Sequence, residues 1–398
     1  MPVSAPNSGR EWRCNALRAG VVTGALLIGL ASGCGAGNPA PELPPGNWIY
    51  GDAPTISALL ASLESLQGTP TARFADPLRA PLDGCRDFIA RSPEADPWAL
   101  QDSVRCASPG EVPESIVELR GEGDLAFVLD LAPGRRLNGR LTRAQTGAIA
   151  IVASLDPPEA SNLGALLVPA KEPVGTISLA AADTLVHARL RPASGLNIAR
   201  LISQDSQADH MFRLRSELFL GQVLDGTWEF AIYMPRAEHA TPPMALALDY
   251  ALRAPAKAAI TKLVSELEAT WPIHHSKQVI AGYEGACFHD LRLLPDLVPC
   301  WVLTEQSIVI GWNPLSLAVA LAGSVKKPDS LAGPFGASGG LVVHLDRLPK
   351  ADRLLQRQLG GSETGERIDY VWDELRLEGS NDGERLQLEL SLEMGGAS

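Results

Sequence analysis

Positive charge is scarce in this 398-residue chain: 34 lysines and arginines face 46 aspartates and glutamates, a net of −12. No cluster of Lys and Arg interleaved with aromatics occurs, so there is no basic face to neutralise phosphates. Nucleic acid is therefore not expected as a partner. The phosphate-cradling patterns Gly-x-x-x-x-Gly-Lys-Ser/Thr and Gly-x-Gly-x-x-Gly are missing too, and no nucleotide cofactor is expected. Cys-x-x-Cys and His-x-x-x-His spacings are absent. The pairs His274-His275, His289-Asp290 and Asp209-His210 show no facing carboxylate at helical spacing, so no metal cofactor is expected. Composition has no extremes: 45% hydrophobic and 20% charged residues exclude disordered and collagen-like classes.

What is present begins at the N-terminus. Arg10, Arg13 and Arg18 precede an uncharged stretch, Ala19 to Gly33, which has the charged, apolar and small-residue parts of a secretory signal. It is shorter than the ~20 apolar residues that cross a bilayer, and several glycines interrupt it. Residues 1–33 are thus expected to be removed. That leaves 365 residues with 31 basic and 45 acidic groups, a net of −14.

The four residues Ala31-Ser32-Gly33-Cys34 resemble the lipobox of bacterial lipoproteins. The resemblance implies cleavage before Cys34 and thioether diacylation of its sulfur. Two acyl chains hold a protein to a bilayer where one is marginal. Gly35 to Gly46 is a Pro/Gly-rich spacer of the kind such an anchor needs, and the lipidated cysteine with its tether is read as 34–48. Gly35 after the anchor implies, by the sorting pattern of that family, the outer membrane, at its periplasmic face or the cell surface of a Gram-negative bacterium. The expected partner is the membrane through the lipid, with an envelope protein or a lipid as a further partner.

With Cys14 removed and Cys34 acylated, Cys85, Cys106, Cys287 and Cys300 remain, an even number for an oxidising compartment. Four cysteines allow three pairings. Proximity favours Cys85–Cys106 and Cys287–Cys300, each worth ~3 kcal/mol through the loop it closes.

Ala53 to Leu66 and Pro97 to Val104 read as helices in a small helical N-terminal region. From Leu125 strands dominate. Leu125–Pro133 and Leu341–Pro349 share Leu, Leu, Asp and Pro at equal spacing, and Leu185–Pro192 is a looser third copy. Each is followed by a Leu/Arg-containing segment expected to be helical (Arg135 to Leu141, Leu196 to Ile202, Arg353 to Leu359). Two candidate strands come next: Ala148 to Ser154 with Leu163 to Val168, Trp228 to Met234 with Met244 to Tyr250, and Tyr370 to Leu377 with Arg385 to Met394. The expected class is α+β: duplicated units of mainly antiparallel sheet with packed helices. The regions read as 49–175, the helical stretch with a first unit, and 176–398, a larger α+β region with further repeats.

Three further segments are explicit. Leu386, Leu388, Leu390 and Leu392 alternate with polar residues behind a Ser380-Asn-Asp-Gly383 turn, predicting a half-buried hairpin strand. Pro255 to Ala269 carries Ala259, Ile260, Leu263, Val264 and Leu267 on one helical side. The uncharged run Gln306 to Val325 is long enough to mimic a membrane span. Its punctuation predicts a strand, then a helix capped by Asn313 with Pro314 at its first position.

The segments Ala182–Leu190, Asp225–Tyr233 and Ser307–Ser316, together with the exported cysteine and tether, resemble an uncharacterised family of bacterial envelope lipoproteins known only as a domain of unknown function. The likeness covers the chain after about Ile177, and implies architecture and location but no activity.

For catalysis, Gly336-Ala337-Ser338-Gly339-Gly340 fits Gly-x-Ser-x-Gly. A hydrolase elbow runs from strand to helix, whereas a strand follows here. The alternative, a trypsin-like serine turn, wants an acidic residue where Ala337 stands and a histidine in a His-Cys context. Ser324-Val-Lys-Lys327 matches Ser-x-x-Lys but follows a helix instead of opening one. The expectation is a non-enzymatic, lipid-anchored envelope protein for binding, scaffolding or assembly. The alternatives are a carrier of lipid or lipoprotein cargo under a curved sheet and a serine hydrolase using Ser338.

Overall fold

The computed structural model describes residues 43–64, 81–93, 100, 103–132, 135–156, 178–190, 227–236, 241–250, 252–270, 272–289, 298–324, 339–358, 372–381 and 386–394. The signal segment, Cys34, Ser338, the Ser380-Gly383 turn beyond residue 381 and the segments 163–168 and 196–202 lie wholly or partly outside them. The fold is mostly antiparallel sheet with helices packed on it, α+β in character. The chain divides into two units, residues 1–157 with 368–371 and 387–394, and residues 158–367 with 372–386 and 395–398.

In unit 1 the strands are β1 (Asn47–Asp52), β2 (Asp87–Ser92), β3 (Arg105–Cys106), β4 (Leu125–Ala132), β5 (Arg135–Arg143) and β6 (Ile149–Asp156). With β16 (Leu386–Glu393) next to β6, their order is β16-β6-β5-β4-β1-β2-β3. The pairings from β6 to β3 are antiparallel. Alternation along β1 and β2 splits the apolar side chains between two faces. Helix α1 (Ala53–Glu64) sets Ala53 and Ile56 against Phe88, while α2 (Glu114–Arg120) sets Ile116 against Trp48, Ile89, Ala126 and Val128. Asp52 begins α1 by accepting the Thr55 N–H at 2.8 Å, one of the donors left open at a helix start. Among the described residues, the stretch expected to be helical thus includes the strands β1, β2 and β3 as well as α1 and α2, and most of the expected helix Pro97 to Val104 lies outside them.

The segment Arg135 to Leu141 is a strand and not the expected helix. Leu137, Gly139 and Leu141 alternate with Arg136, Asn138 and Arg140, a period of two, and β5 pairs along its length with both β4 and β6. The tightest point is Gly139, opposite Ala153: a methyl group there would sit 2.0 Å from the Ala153 Cβ. The Leu/Arg content that suggests a helix is here one buried face and one face that places Arg136 Nε 2.8 Å from Asp130.

Unit 2 has β7 (Thr184–Leu190), β8 (Trp228–Tyr233), β9 (Met244–Asp249), β10 (His274–Ile280), β11 (Tyr283–His289), β12 (Cys300–Leu303), β13 (Ser307–Gly311), β14 (Gly339–His344) and β15 (Glu374–Asn381). Their order is β10-β11-β12-β13-β9-β8-β7-β14-β15, antiparallel throughout. The motif strands β7 and β14 are direct neighbours. Helix α3 (Arg253–Thr270) buries Ala256, Ile260 and Val264 against Leu248, Tyr250, Phe288 and Ile308. Helix α4 (Pro314–Ser324) covers the opposite face, with Leu317, Ala320 and Leu321 against Ala231, Ala247, Val302 and Val309. Asn313 caps α4 through Oδ1, which accepts the Ser316 N–H at 2.8 Å. A short 3-10 turn, Leu345–Arg347, leads from β14 into α5 (Leu348–Gln358), as expected for the third Leu/Arg segment. The uncharged run from Gln306 is therefore β13 and α4, and among the described residues no helix is long and apolar enough to cross a membrane.

Candidate functional site

The face of the unit 2 sheet beneath α4 should be apolar throughout, yet it holds two buried carboxylates. In β8, Glu229 shares its face with Ala231 and Tyr233, and in β9 Asp249 shares its face with Ala245 and Ala247. Burying a carboxylate without partners costs far more than a fold can spare. Glu229, 1% exposed, is well supplied. The register sets Arg189 opposite it, and Arg189 Nε donates to Oε1 at 2.7 Å with a second guanidinium N–H on the same oxygen. Its Oε2 accepts the Leu179 N–H at 2.8 Å and lies 3.2 Å from His187 Nε2. Burial pulls the Glu229 carboxyl upward, but the His187 hydrogen bond, the His187 and Arg189 charges and the Leu179 amide outweigh it and hold it below the usual carboxylate range. Tyr233 completes the enclosure by donating to the Leu179 carbonyl at 2.9 Å, and burial lifts its phenol above the ordinary range.

Asp249, 3% exposed, is less well served. Its Oδ1 accepts Ser307 Oγ at 2.7 Å across the β9–β13 pair, while Oδ2 has no hydrogen-bond partner among the described residues. Burial, with the nearby Glu229 charge, pushes its carboxyl up to about 6 against the opposing Ser307 and Thr227 hydrogen bonds and the Arg189 charge. Two carboxyl groups driven apart in this way are a common mark of acid–base sites and also of buried structural networks. Every oxygen of Glu229 is already engaged by donors of the fold, which makes it an organiser of the sheet.

A second arrangement lies on the edge hairpin. Ala281 and Gly282, with φ of 51° and 88°, form its two-residue turn, and this register brings Ser276 Oγ within 2.5 Å of His289 Nε2. Gln278 Nε2 donates to the same hydroxyl at 3.3 Å. It is a serine–base contact, but among the described residues no carboxylate orients the His289 ring, as a triad requires. On the other face of β10, His275 Nδ1 is 2.7 Å from Glu268 Oε1 and ties the strand to the end of α3. Among the described residues no group of three or more His, Cys, Asp or Glu side chains is placed to hold a metal.

Unit 1 contributes an open cleft of about 440 Å³ lined by Tyr50, Asp52, Val117, Arg120, Glu122 and Asp124. Its one cation is occupied: Arg120 reaches Asp87 at 2.9 Å and the Gly123 carbonyl at 3.0 Å, and stands 5.0 Å over the Tyr50 ring.

The four remaining cysteines are paired as proximity favours. Cys85–Cys106 and Cys287–Cys300 are disulfides with Cα separations of 5.2 and 4.0 Å, the second joining register partners of β11 and β12. Cys34 and Ser338 lie outside the described residues, as do Asp209, His210 and Asp290.

No model of a known protein family matches the chain, and searches of curated proteins and of solved structures find no match either. The site therefore has to be read from its own chemistry.

Proposed function

We propose that the chain is a lipid-anchored protein of the cell envelope, whose folded units serve binding, scaffolding or assembly at the membrane surface and perform no catalysis. The observation that carries this is Cys34 at the end of Ala31-Ser32-Gly33-Cys34, behind an arginine-led uncharged segment and ahead of a Pro/Gly tether. The two disulfides support export, since such bonds persist in oxidising compartments. The dense donor supply around Glu229 supports a scaffold that is rigid where an enzyme would keep a reactive group open. The net of −14 after processing offers anionic headgroups no attraction, so attachment depends on the acyl chains. The shared plan of the two units, an antiparallel sheet with a helix on each face, supports an origin by duplication of an α+β unit.

Mass spectrometry of the mature N-terminus tests the reading. The expected terminus is Cys34 bearing a diacylglyceryl thioether, and Cys34→Ser is expected to release the protein from the membrane fraction. An unmodified terminus, or cleavage elsewhere, refutes the anchor.

A further inference from the structure

Asp249 closes the end of β9 where the chain turns toward α3. The neighbouring contacts form a small latch. Its N–H donates to the Thr227 carbonyl at 3.1 Å, the Tyr250 N–H to the Gln306 carbonyl at 3.0 Å, and Tyr250 Oη to the Thr304 carbonyl at 2.5 Å. Across from it, the Ser307 N–H donates to Thr304 Oγ1 at 3.0 Å and the Ser307 hydroxyl to Asp249 Oδ1. The two Tyr250 bonds and the Ser307 hydroxyl hold the end of β9 to the turn that starts β13, the Thr227 bond ties it to the start of β8, and the Ser307–Thr304 bond braces the turn itself. At their centre is a carboxyl group with one oxygen unserved among the described residues, on the same face as the permanently engaged Glu229.

We propose that Asp249 makes this end of the sheet a proton-dependent clasp, closed while its carboxyl is protonated and loosened toward water when the carboxyl ionises beside Glu229.

The charges facing Asp249 are few. From β8 comes Glu229, which opposes a second negative charge, and from β7 comes Arg189, whose guanidinium is already committed to Glu229. From β13 comes only the Ser307 hydroxyl, and α4, whose sequence is Pro-Leu-Ser-Leu-Ala-Val-Ala-Leu-Ala-Gly-Ser, brings no charge. His187 bonds Glu229, and His344 on β14 sits 3.4 Å from Glu374. Burial lowers His344, so its own titration opposes the Asp249 trend and must be separated from it.

The direction follows from linkage. A carboxyl lifted from 3.8 to about 6 in the folded protein favours the closed state at low pH and loses that advantage as pH rises between those values. Glu229, held low, stays ionised through this range and contributes no slope above the usual carboxylate value. From pH 5 to 7 the opening equilibrium should grow by roughly tenfold.

Hydrogen exchange read by mass spectrometry on the full-length protein tests this, with rates corrected for intrinsic pH dependence. The probes are peptides covering 244–250 and 304–311. Wild type is expected to exchange about tenfold more readily at pH 7 than at pH 5 in both peptides. Asp249→Asn should remove the dependence and keep pH 7 protection at the wild-type pH 5 level. His187→Gln should retain it, and so should His344→Gln, which removes the opposing titration. Ser307→Ala, which deletes the bond favouring ionisation, should move the midpoint to higher pH, and serves as the reading if Asp249→Asn fails to fold. The proposal is overturned if wild-type protection is the same at both pH values. It is equally overturned if the dependence survives Asp249→Asn, if it disappears with His187→Gln, or if Ser307→Ala leaves the midpoint in place.

Discussion

Replacing Glu229 by alanine is the most direct test of whether the buried charge network holds unit 2 together. Four donors lose their acceptor: two N–H groups of Arg189, the Leu179 amide and, when its Nε2 carries the proton, His187. They do not count equally. The Arg189 side chain is 21% exposed and can turn part of its guanidinium to water, whereas Leu179 is fully buried and its N–H cannot. An unsatisfied buried amide costs ~1–3 kcal/mol, and removing one member of a buried ion pair ~3–5 kcal/mol in all. The expected loss is therefore about 4 kcal/mol, a fall of roughly 2 M in urea midpoint at a slope of ~2 kcal/mol/M. It should fall on the transition of unit 2, monitored at Trp301 and Trp312 in variants that lack the unit 1 tryptophans Trp12, Trp48 and Trp98. Because the folded carboxyl lies below its usual value of 4.5, its contribution is complete above that pH and lost as pH falls through the folded value. Wild type should therefore lose stability on acidification below about pH 4.5, and Glu229→Ala should show a flatter acid limb. Glu229→Gln, which can still accept from Leu179, should fall between the two. Replacing His187, Arg189 and Glu229 together by Leu, Met and Leu should recover the part of the loss that comes from the unpaired side chains but not the part from the Leu179 amide, which still lacks its acceptor. A loss under ~1 kcal/mol for Glu229→Ala would refute the reasoning and leave the network without a structural role.

Two further outcomes follow from packing and covalent geometry. Gly139→Ala would put a methyl group 2.0 Å from the Ala153 Cβ and 2.5 Å from the Val152 carbonyl oxygen, in the middle of three paired strands. Overpacking of this kind should cost about 3 kcal/mol, seen as a drop of roughly 6–12 °C in the melting temperature of unit 1, and an unchanged melting temperature would count against the β4-β5-β6 register. The disulfides should differ in access: Cys106 is exposed, while Cys287 and Cys300 are fully buried. Mild reductant followed by alkylation and peptide mapping should label Cys85 and Cys106 first. Substituting serines for Cys287 and Cys300, which closes a separation of 13 residues, should cost ~3 kcal/mol in urea unfolding.

Features set by neighbouring residues were legible before the fold. Asn313 and Pro314 mark the start of α4 because capping is a matter of three or four residues, and Leu386, Leu388 and Leu390 mark an inward face because a strand repeats every two. The cysteine pairs were legible for the same reason, with separations of only 21 and 13 residues. Arg135 to Leu141 suggests a helix because its leucines and arginines are good helix formers, while the period-two alternation that marks a strand is confined to Leu137, Gly139 and Leu141. Propensity is a weak prior where two strands are waiting on either side, as β4 and β6 are. The buried carboxylates were illegible for a different reason. Glu229 meets Leu179 across 50 residues and His187 across 42, and Asp249 meets Ser307 across 58, so their partners exist only once the registers of β7, β8, β9 and β13 are fixed. One signal was available in Trp-Glu-Phe-Ala-Ile-Tyr: an alternation that buries Ala231 and Tyr233 buries Glu229 with them. A charge at an inward position is a demand for partners, and it says that a network exists without saying which distant residues supply it. The same logic separates the two carboxyls. Glu229 sits where the register delivers a guanidinium and an amide, and it becomes a fixed strut. Asp249 sits one strand further on, where a hydroxyl, the Thr227 amide and a guanidinium committed elsewhere offset burial only in part, and the proton is left to make up the difference.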